Sequence, residues 1–159
     1  MQPMTGAASP QRRGRAIAMD QDERDAFLQN ERMCRVASLG SDGQPHNSPL
    51  WFVWDGTALW LNSIVKSQRW VNLARDPRVS IVVDAGTDFS ALRGVELTGS
   101  VQQVGEIPRT STPDDLLAVP ERLFGDKYGD GAFTADGRHA WLRLAPQRIV
   151  SWDFRKRHQ

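Results

Sequence analysis

Lys66, Ser67 and Arg69 stand close together near the middle of the chain, within the segment formed by residues 63–84. This segment predicts the end of a strand followed by a short basic helix. The Ser67 hydroxyl is placed to cap the helix, which leaves the next backbone N–H groups free to face an anion. Lys66 and Arg69 can add charge-assisted hydrogen bonds to phosphate oxygens. The spacing fits a phosphate site and an ordinary capped surface helix equally well, so both interpretations stay open.

A second group of candidates lies in the strand sequence HNSPLWFVWDG, which carries Trp51, Phe52 and Trp54. The chain contains six tryptophans and one tyrosine, and most such rings are expected in the core. Trp51 is singled out because the nearby Pro49 cannot donate to a β-ladder. The backbone there is expected to be irregular and able to face a flat ring. Trp152 is another candidate ring, with core packing as its alternative role.

Several catalytic motifs are missing from the sequence. It has no dinucleotide or Walker glycine loop, no nucleophile elbow, no zinc-protease motif and no C-x-x-C pair. His46 and His139 have no second ligand at a metal-binding spacing, so no metal site is predicted. No side chain is a candidate nucleophile. A protein that binds a phosphate and a flat ring would therefore carry its chemistry on a cofactor.

Short helices and strands must position these residues. Asp20 and Glu23 have the spacing of a capping box, which predicts a helix from there to about residue 29. A helix over residues 67–75 must end before the proline that follows it. A third helix is expected over residues 112–124, with Pro120 interrupting it. The predicted strands cover residues 33–39, 45–54, 58–63, 78–84, 93–104, 139–144 and 148–154.

These elements predict a mainly β fold. Six or seven strands joined mostly by tight turns indicate an antiparallel sheet, and that number of strands tends to close into a barrel. Helices and strands do not alternate, so an open α/β nucleotide fold is not expected. The 159 residues suit one domain. We expect that domain over residues 19–159, after a flexible basic N-terminal tail over residues 1–18.

The charge pattern argues against a nucleic-acid partner. The net charge is +1, but basic clusters lie near both ends and every acidic residue lies between them. A nucleic-acid-binding fold would spread its positive charge over a folded face. The chain has no apolar run long enough to span a membrane and no secretory signal pattern, so we expect a cytoplasmic protein. The single cysteine, Cys34, excludes an intrachain disulfide.

Three stretches of the chain carry a family resemblance: DGQPHNSPLWFVWDGTALWLNS, SQRWVNLARDPRVSIVVD and LRGVELTGSV. Together they resemble the flavin- and deazaflavin-binding split β-barrel superfamily of pyridoxamine 5′-phosphate oxidase. The closer likeness is to the subgroup that uses the deazaflavin coenzyme F420 rather than FMN. The resemblance covers residues 31–104 well and the C-terminal strands more loosely. The fold that it implies is an FMN-binding type of split barrel with six or seven antiparallel strands.

The resemblance also implies a homodimer with two cofactors bound between the subunits. The phosphate would be held by Ser67 and Arg69, with Lys66 nearby, and Trp152 would come from the partner subunit. The ring would lie against the second and third strands, while residues 108–137 and the C-terminal strands would line the substrate pocket. The implied cofactor-binding residues are Asn47, Ser48, Pro49, Leu50, Trp51, Asn62, Ser63, Lys66, Ser67, Arg69, Trp70 and Trp152.

Two departures favour the F420 subgroup. Pyridoxamine phosphate oxidases carry an Arg-Lys pair at the helix start, whereas this chain has Gln68 and Arg69. Their C-terminal arginine pattern is not clearly reproduced either. The implied activity is hydride transfer from reduced F420 to a small conjugated or unsaturated substrate. The alternatives are an FMN-dependent oxidase or flavin reductase, and a non-catalytic module for a cofactor or haem, with His46 or His139 as the haem ligand.

Overall fold

The computed structural model describes residues 6–158, which form eight strands and three α-helices. The helices are α1 (Gln21–Asn30), α2 (Gln68–Arg75) and α3 (Ala118–Tyr128). The strands are β1 (Met33–Leu39), β2 (Pro45–Trp51), β3 (Val53–Trp54), β4 (Leu59–Ile64), β5 (Arg78–Ala85), β6 (Arg93–Val104), β7 (His139–Leu144) and β8 (Arg148–Asp153).

The strands form one open antiparallel sheet in the order β2-β1-β5-β6-β7-β4-β3, with β8 paired to β6. The long strand β6 joins the two halves. Its residues 93–100 pair with β5, and its residues 101–104 pair with β7. Gly99 lies just before this change of partner, where a Cβ atom would meet Leu144 at 3.1 Å. The predicted mainly β, antiparallel split barrel is confirmed.

The predicted strand over residues 45–54 is wrong at one position, because the ladder is interrupted at Phe52. The Phe52 N–H donates to the Tyr128 hydroxyl at 3.2 Å, and its carbonyl accepts from that hydroxyl at 2.8 Å and from Lys127 at 3.3 Å. Helix α3 thus supplies the partners that a neighbouring strand would offer. As a result β2 pairs with β1, whereas β3 pairs with β4. The strand count therefore rises to eight.

Two of the three predicted helices begin as expected. The Asp20 side chain accepts from the Glu23 N–H at 2.9 Å while Glu23 accepts from the Asp20 N–H at 2.8 Å, which completes the capping box of α1. Ser67 caps α2. The third prediction needs a correction, since Pro120 lies in the first turn of α3 and does not interrupt it. An N–H there would have no partner within the helix, so proline is tolerated.

The buried side chains form two apolar clusters. The larger one fills the barrel between the sheet and helices α1 and α2. The smaller one contains Val53, Trp60, Leu117 and Trp141, with aromatic residues of α3 packed on its edge. Residues 108–137 therefore have their own apolar core against one side of the barrel. This second core holds in place the segment that lines the candidate active site.

The N-terminal segment follows β8. Ser9 forms a parallel bridge with Arg148, and the Gln11 side chain bonds to the Ser151 N–H and carbonyl at 3.0 Å each. Residues 1–5 of the predicted tail lie outside the described residues, and the division into a tail and one domain stays a prediction. Among the helices of residues 6–158, none is long and apolar enough to cross a membrane.

Candidate active site

Four of the predicted site residues meet in one hydrogen-bonded group, which we name the serine–arginine cluster: Ser48, Ser63, Ser67 and Arg69. Arg69 donates from Nη1 to Ser48 Oγ at 2.6 Å and from Nε to Ser63 Oγ at 3.1 Å. The Ser63 and Ser67 hydroxyl oxygens are 3.4 Å apart. The cluster thus joins β2, β4 and the start of α2, although β2 and β4 do not pair with each other.

Arg69 lies in this cluster as a buried cation without a counter-charge. The residue has a relative exposure of only 7%. Within residues 6–158 no carboxylate lies within 4.0 Å of its guanidinium, and Nη2 makes no hydrogen bond to the protein. Burial lowers the pKa of Arg69 from its ordinary value. A buried guanidinium bound only to hydroxyls is costly, and a bound anion would compensate that cost.

The start of α2 adds further donors at the same corner. Ser67 Oγ accepts from the Trp70 N–H at 3.1 Å, and the Ser67 carbonyl accepts from the Val71 N–H at 3.1 Å. The N–H groups of Gln68 and Arg69 have no partner inside the helix, as in any first turn. Lys66 is exposed one residue before the cap. Backbone donors and a buried guanidinium therefore meet here, as predicted from the sequence, and Lys66 precedes them in the chain.

A pocket of about 460 Å³ lies next to β4 and contains three more predicted residues: Leu50, Trp51 and Asn62. Asn62 Oδ1 is buried and has no hydrogen-bond partner in the described part of the chain. The Trp51 ring is stacked on Tyr128, with centroids 4.3 Å apart and planes inclined by 7°. Trp51 nevertheless keeps 43% of its surface exposed. The pocket thus offers a flat ring and an unsatisfied acceptor.

The rest of the pocket wall comes mostly from residues 108–137, as expected from the sequence. Phe124 and Phe133 meet edge to face, with centroids 5.8 Å apart. Arg109, only 4% exposed, also lines the pocket. It bonds to Glu121 and Glu106 at 2.6 Å each, and the bond to Glu121 is the main reason that its pKa is raised. Arg109 is therefore neutralised by the protein, unlike Arg69.

Asp136 and His139 form a bonded pair in the same pocket, with His139 Nδ1 2.6 Å from Asp136 Oδ2. Asp136 Oδ1 accepts from the backbone N–H groups of Arg138 at 2.9 Å and His139 at 3.1 Å. Burial acts to raise the pKa of Asp136, but these bonds outweigh it and leave the pKa lowered. Sequence reasoning treated His139 as isolated. The carboxylate three residues before it was the signal that could have revealed the pair.

The other predicted site residues lie elsewhere. Asn47 and Pro49 lie on the exposed face of β2, together with Trp51. Trp70 packs in the barrel core with 6% exposure. Trp152 lies on β8 opposite Gly94, and within residues 6–158 β8 pairs with β6 and not with β2 or β4. The structure thus brings four predicted residues together in the cluster and three others into the pocket, whose lining includes no cluster residue, and it leaves Trp152 on another strand pair.

Comparison with known proteins identifies the family of the chain. A family model described as pyridoxamine 5′-phosphate oxidase matches residues 20–153. The chain belongs to this family. The family match covers both the serine–arginine cluster and the pocket, so the two halves of the candidate site lie within one family domain.

Three similar proteins show how this family member relates to others. A conserved hypothetical protein from Mycobacterium tuberculosis, Rv2991, superposes with a TM-score of 0.77 at 31% identity, covering 95% of this chain and 94% of that one. The 5a,11a-dehydrotetracycline/5a,11a-dehydrooxytetracycline reductase of Streptomyces rimosus is 29% identical over 107 residues, which are 61% of this chain and 75% of the reductase. A structure named F420 reductase has a TM-score of 0.58 at 23% identity, covering 79% and 94%, and shows a shared fold.

Family membership and the Streptomyces rimosus reductase together support an oxidoreductase with a flavin-like cofactor. The site is compatible with such chemistry. The described residues include no group of three or more His, Cys, Asp or Glu that could hold a metal ion. The groups in the described residues that could bind a ligand or act on it are the Asp136–His139 pair, the aromatic side chains of the pocket and the Arg69 guanidinium.

Proposed function

We propose that this chain is a reductase that uses reduced coenzyme F420 as hydride donor and a small conjugated or unsaturated molecule as acceptor. One observation carries the proposal: Arg69 is buried, bonded to Ser48 and Ser63, and without a carboxylate partner among residues 6–158. The start of α2 adds the donors that phosphate oxygens require. The cluster is the expected binding site of the cofactor phosphate.

The charge of the cluster favours F420 over FMN. The phosphate of F420 is a diester with one negative charge, whereas a phosphate monoester carries about −1.5 to −2 at neutral pH. The helix start offers one buried cation, Arg69, and Gln68 stands where the pyridoxamine phosphate oxidases have a second basic residue. Lys66 is exposed, so water solvates its charge. A single buried cation suits a singly charged phosphodiester.

The pocket beside the cluster fits the ring of the cofactor. The deazaflavin ring has an imide N–H, and Asn62 Oδ1 is a buried acceptor without a partner in the described residues. Leu50 and Trp51 supply apolar surface, and Tyr128 fixes the Trp51 ring by stacking on it. When bound there, reduced F420 supplies a hydride. The role of the protein is to orient the acceptor and exclude water.

We further propose a homodimer in which each cofactor lies between two subunits. Strand β2 ends the sheet path, so one of its edges is unpaired in residues 6–158. Its exposed face carries Trp51, which is in register with the exposed Met33 of β1. An apolar pair on an open edge favours burial against a second copy. The partner would bring Trp152 to the cofactor.

The Streptomyces rimosus reductase supports the acceptor class. Its name gives a dehydrotetracycline as the molecule that it reduces, and such a molecule is conjugated and polycyclic. The aromatic side chains Trp51, Phe124 and Phe133 in the pocket suit a flat acceptor of this kind. The proposed acceptor is therefore a planar conjugated ketone or alkene.

A parallel titration tests the proposal. Purified apo protein is titrated with F420 and with FMN, and binding is followed by fluorescence polarisation. We expect F420 to bind at least about tenfold more tightly, a difference of about 1.4 kcal/mol. Reduced F420 should then be oxidised when a conjugated ketone is added. Stronger binding of FMN, or no binding of F420, would contradict the proposal.

A further inference from the structure

The Asp136–His139 pair has no role in holding a phosphate, yet it lines the pocket. We propose that the side of this pocket lined by Phe124, Phe133 and His139, opposite the residues proposed to hold the cofactor ring, is the acceptor site, and that His139, oriented by Asp136, donates the proton that completes the reduction. This inference rests on the proposed function. It adds the substrate-facing half of the site, including an acid that the chain itself supplies.

The hydrogen bonds fix which ring nitrogen can act. His139 Nδ1 is bonded to Asp136 Oδ2 at 2.6 Å, and Asp136 Oδ1 is held by two backbone N–H groups. His139 Nε2 has no partner among residues 6–158, and the His139 side chain is 28% exposed. Since His139 lines the pocket and Nδ1 is engaged, Nε2 is the nitrogen left to face a ligand. A carboxylate on Nδ1 also stabilises the protonated ring.

Among the charged groups around His139, Asp136 is the one bonded to its ring. The Arg109 N–H donates to the His139 carbonyl at 2.8 Å, but the Arg109 guanidinium is bonded to Glu106 and Glu121. Two further cations, Arg138 and Lys66, belong to the neighbouring backbone. The Arg138 carbonyl accepts from the Val65 N–H, and Val65 is the residue before Lys66. The charged groups on His139 and on the segments bonded to its neighbourhood are Asp136 at the ring itself and, through the backbone or Arg109, Arg138, Lys66, Arg109, Glu106 and Glu121.

The pocket wall suits a flat apolar acceptor. Its volume of about 460 Å³ lies within the range of small-molecule sites, roughly 300–1,000 Å³. Phe124 and Phe133 provide aromatic surface. The loop that carries Phe133 is packed tightly on α3, because a Cβ atom on Gly125 would lie 2.7 Å from the Ala132 carbonyl carbon. The wall is therefore a built part of the fold.

Reduction of a conjugated ketone adds one hydride and one proton across its carbon–carbon double bond. When bound, reduced F420, the reductant of the proposed function, would supply a hydride with its electron pair to the β carbon as the carbon–carbon π bond breaks, and it would be left oxidised. The α carbon takes the proton from His139 Nε2, and His139 is left neutral until it regains a proton from water. Asp136 stays ionised throughout and stabilises the charged ring before transfer.

Kinetics with cyclohex-2-en-1-one as acceptor test the proton donor. His139→Gln should lower kcat about a hundredfold, and Asp136→Asn about tenfold, since general acid catalysis contributes roughly 10²–10⁴-fold. The Kd for F420 should stay within about twofold in both variants. The control His46→Gln replaces a histidine of β2 and should behave as wild type. A kcat within about twofold of wild type in His139→Gln would overturn the inference.

A binding measurement without cofactor tests the same pocket independently of turnover. The probe is 1-indanone, a flat conjugated ketone whose double bond belongs to an aromatic ring and is not reduced. The chain has only three histidines, so their imidazole NMR signals can be assigned by substitution. We expect indanone to shift the His139 signal and leave the His46 signal unchanged. No shift at saturating indanone would overturn the acceptor site, whereas failure of F420 to bind wild type would overturn the proposed function instead.

Discussion

Arg69 of α2 donates a hydrogen bond of 2.6 Å from Nη1 to the hydroxyl of Ser48 on β2. The two residues are 21 positions apart in the sequence. Strand β2 and helix α2 meet because the chain crosses, at Phe52, from one end of the sheet path to the other. Arg69 also bonds to Ser63 of β4. The break in the second predicted strand therefore builds the corner that the proposed cofactor phosphate would occupy.

Two substitutions of Ser67 should distinguish its effect on the stability of the protein from its effect on F420 binding. Ser67→Ala removes the cap of α2 and should lower the free energy of unfolding by about 1 kcal/mol, which corresponds to a fall in Tm of about 2–4 °C. Ser67→Asp keeps a capping oxygen and should retain the stability of wild type. Its negative charge should nevertheless weaken F420 binding by repelling the phosphate. Urea unfolding and F420 titration of both variants are the measurements, and equal affinities in wild type and Ser67→Asp would contradict the assignment.

Tyr128 should stabilise the junction between β2 and β3. Its hydroxyl bonds to the carbonyls of Arg32 and Phe52 and accepts from the Phe52 N–H. Tyr128→Phe removes this partner from the Phe52 N–H and the Arg32 carbonyl, while the Phe52 carbonyl keeps its bond from Lys127, and should cost roughly 1–3 kcal/mol of unfolding free energy, measured in urea.

Burial raises the pKa of Tyr128 to about 12. Because it is the only tyrosine, the absorbance of its phenolate reports this pKa directly. A midpoint near the ordinary value of about 10 would show that the hydroxyl is more solvated than in the structure.

Lys127 should make stability rise with pH in a defined window. Burial lowers its pKa to about 8, from an ordinary 10.5. Above about pH 8 the unfolded chain holds more protons at this site than the folded one, so the free energy of unfolding increases with pH up to about 10.5. Below pH 8 both states are charged and the slope vanishes.

Lys127→Met should abolish that rise. The comparison is best made between pH 8 and 9, since burial also raises the pKa of Cys34 from 9.0 to about 12, which gives an opposite slope above pH 9. Urea unfolding at a series of pH values measures both chains. Identical slopes for wild type and Lys127→Met in this window would disprove the assignment to Lys127.

A mixing experiment tests the shared site of the proposed dimer. In the proposed dimer each site receives Arg69 from one subunit and Trp152 from the other. Arg69→Gln and Trp152→Leu each remove one of these two residues from every site, so each variant alone should bind F420 weakly. In a mixed dimer one of the two sites combines the unaltered Arg69 of one subunit with the unaltered Trp152 of the other. Mixing should therefore restore tight binding in about one quarter of all sites when subunits exchange freely. No recovery on mixing would argue against a site that spans two subunits.

Local rules were enough to predict the start of α2. Ser67 can cap the helix by itself, and the proline after Asp76 stops it, so neither feature needs distant contacts. The capping box of α1 is equally local. The barrel class followed from the number of short strands joined by turns, and the family resemblance pointed to the same fold.

Several features that were not predicted depend on contacts between residues that are far apart in the sequence. The break at Phe52 depends on Tyr128, which lies 76 positions away. The pairing of Arg109 with Glu121 depends on how α3 folds back over the second core. The resemblance ended before residues 108–137, so the pocket wall formed by Phe133 and Asp136 could be placed only roughly. The Asp136–His139 pair is the exception, since it was missed although its residues are only three positions apart.

The most direct test of the central claim compares cofactors with and without phosphate. Wild type, Arg69→Gln and the control Arg75→Gln, from the other end of α2, are each titrated with F420 and with its phosphate-free deazaflavin nucleoside. Loss of a charged hydrogen bond costs roughly 1.5–3 kcal/mol, so Arg69→Gln should bind F420 about tenfold to a hundredfold more weakly. Its affinity for the nucleoside should match that of wild type, and Arg75→Gln should match wild type with both ligands. If Arg69→Gln weakens both ligands equally, or neither, then Arg69 does not bind the phosphate.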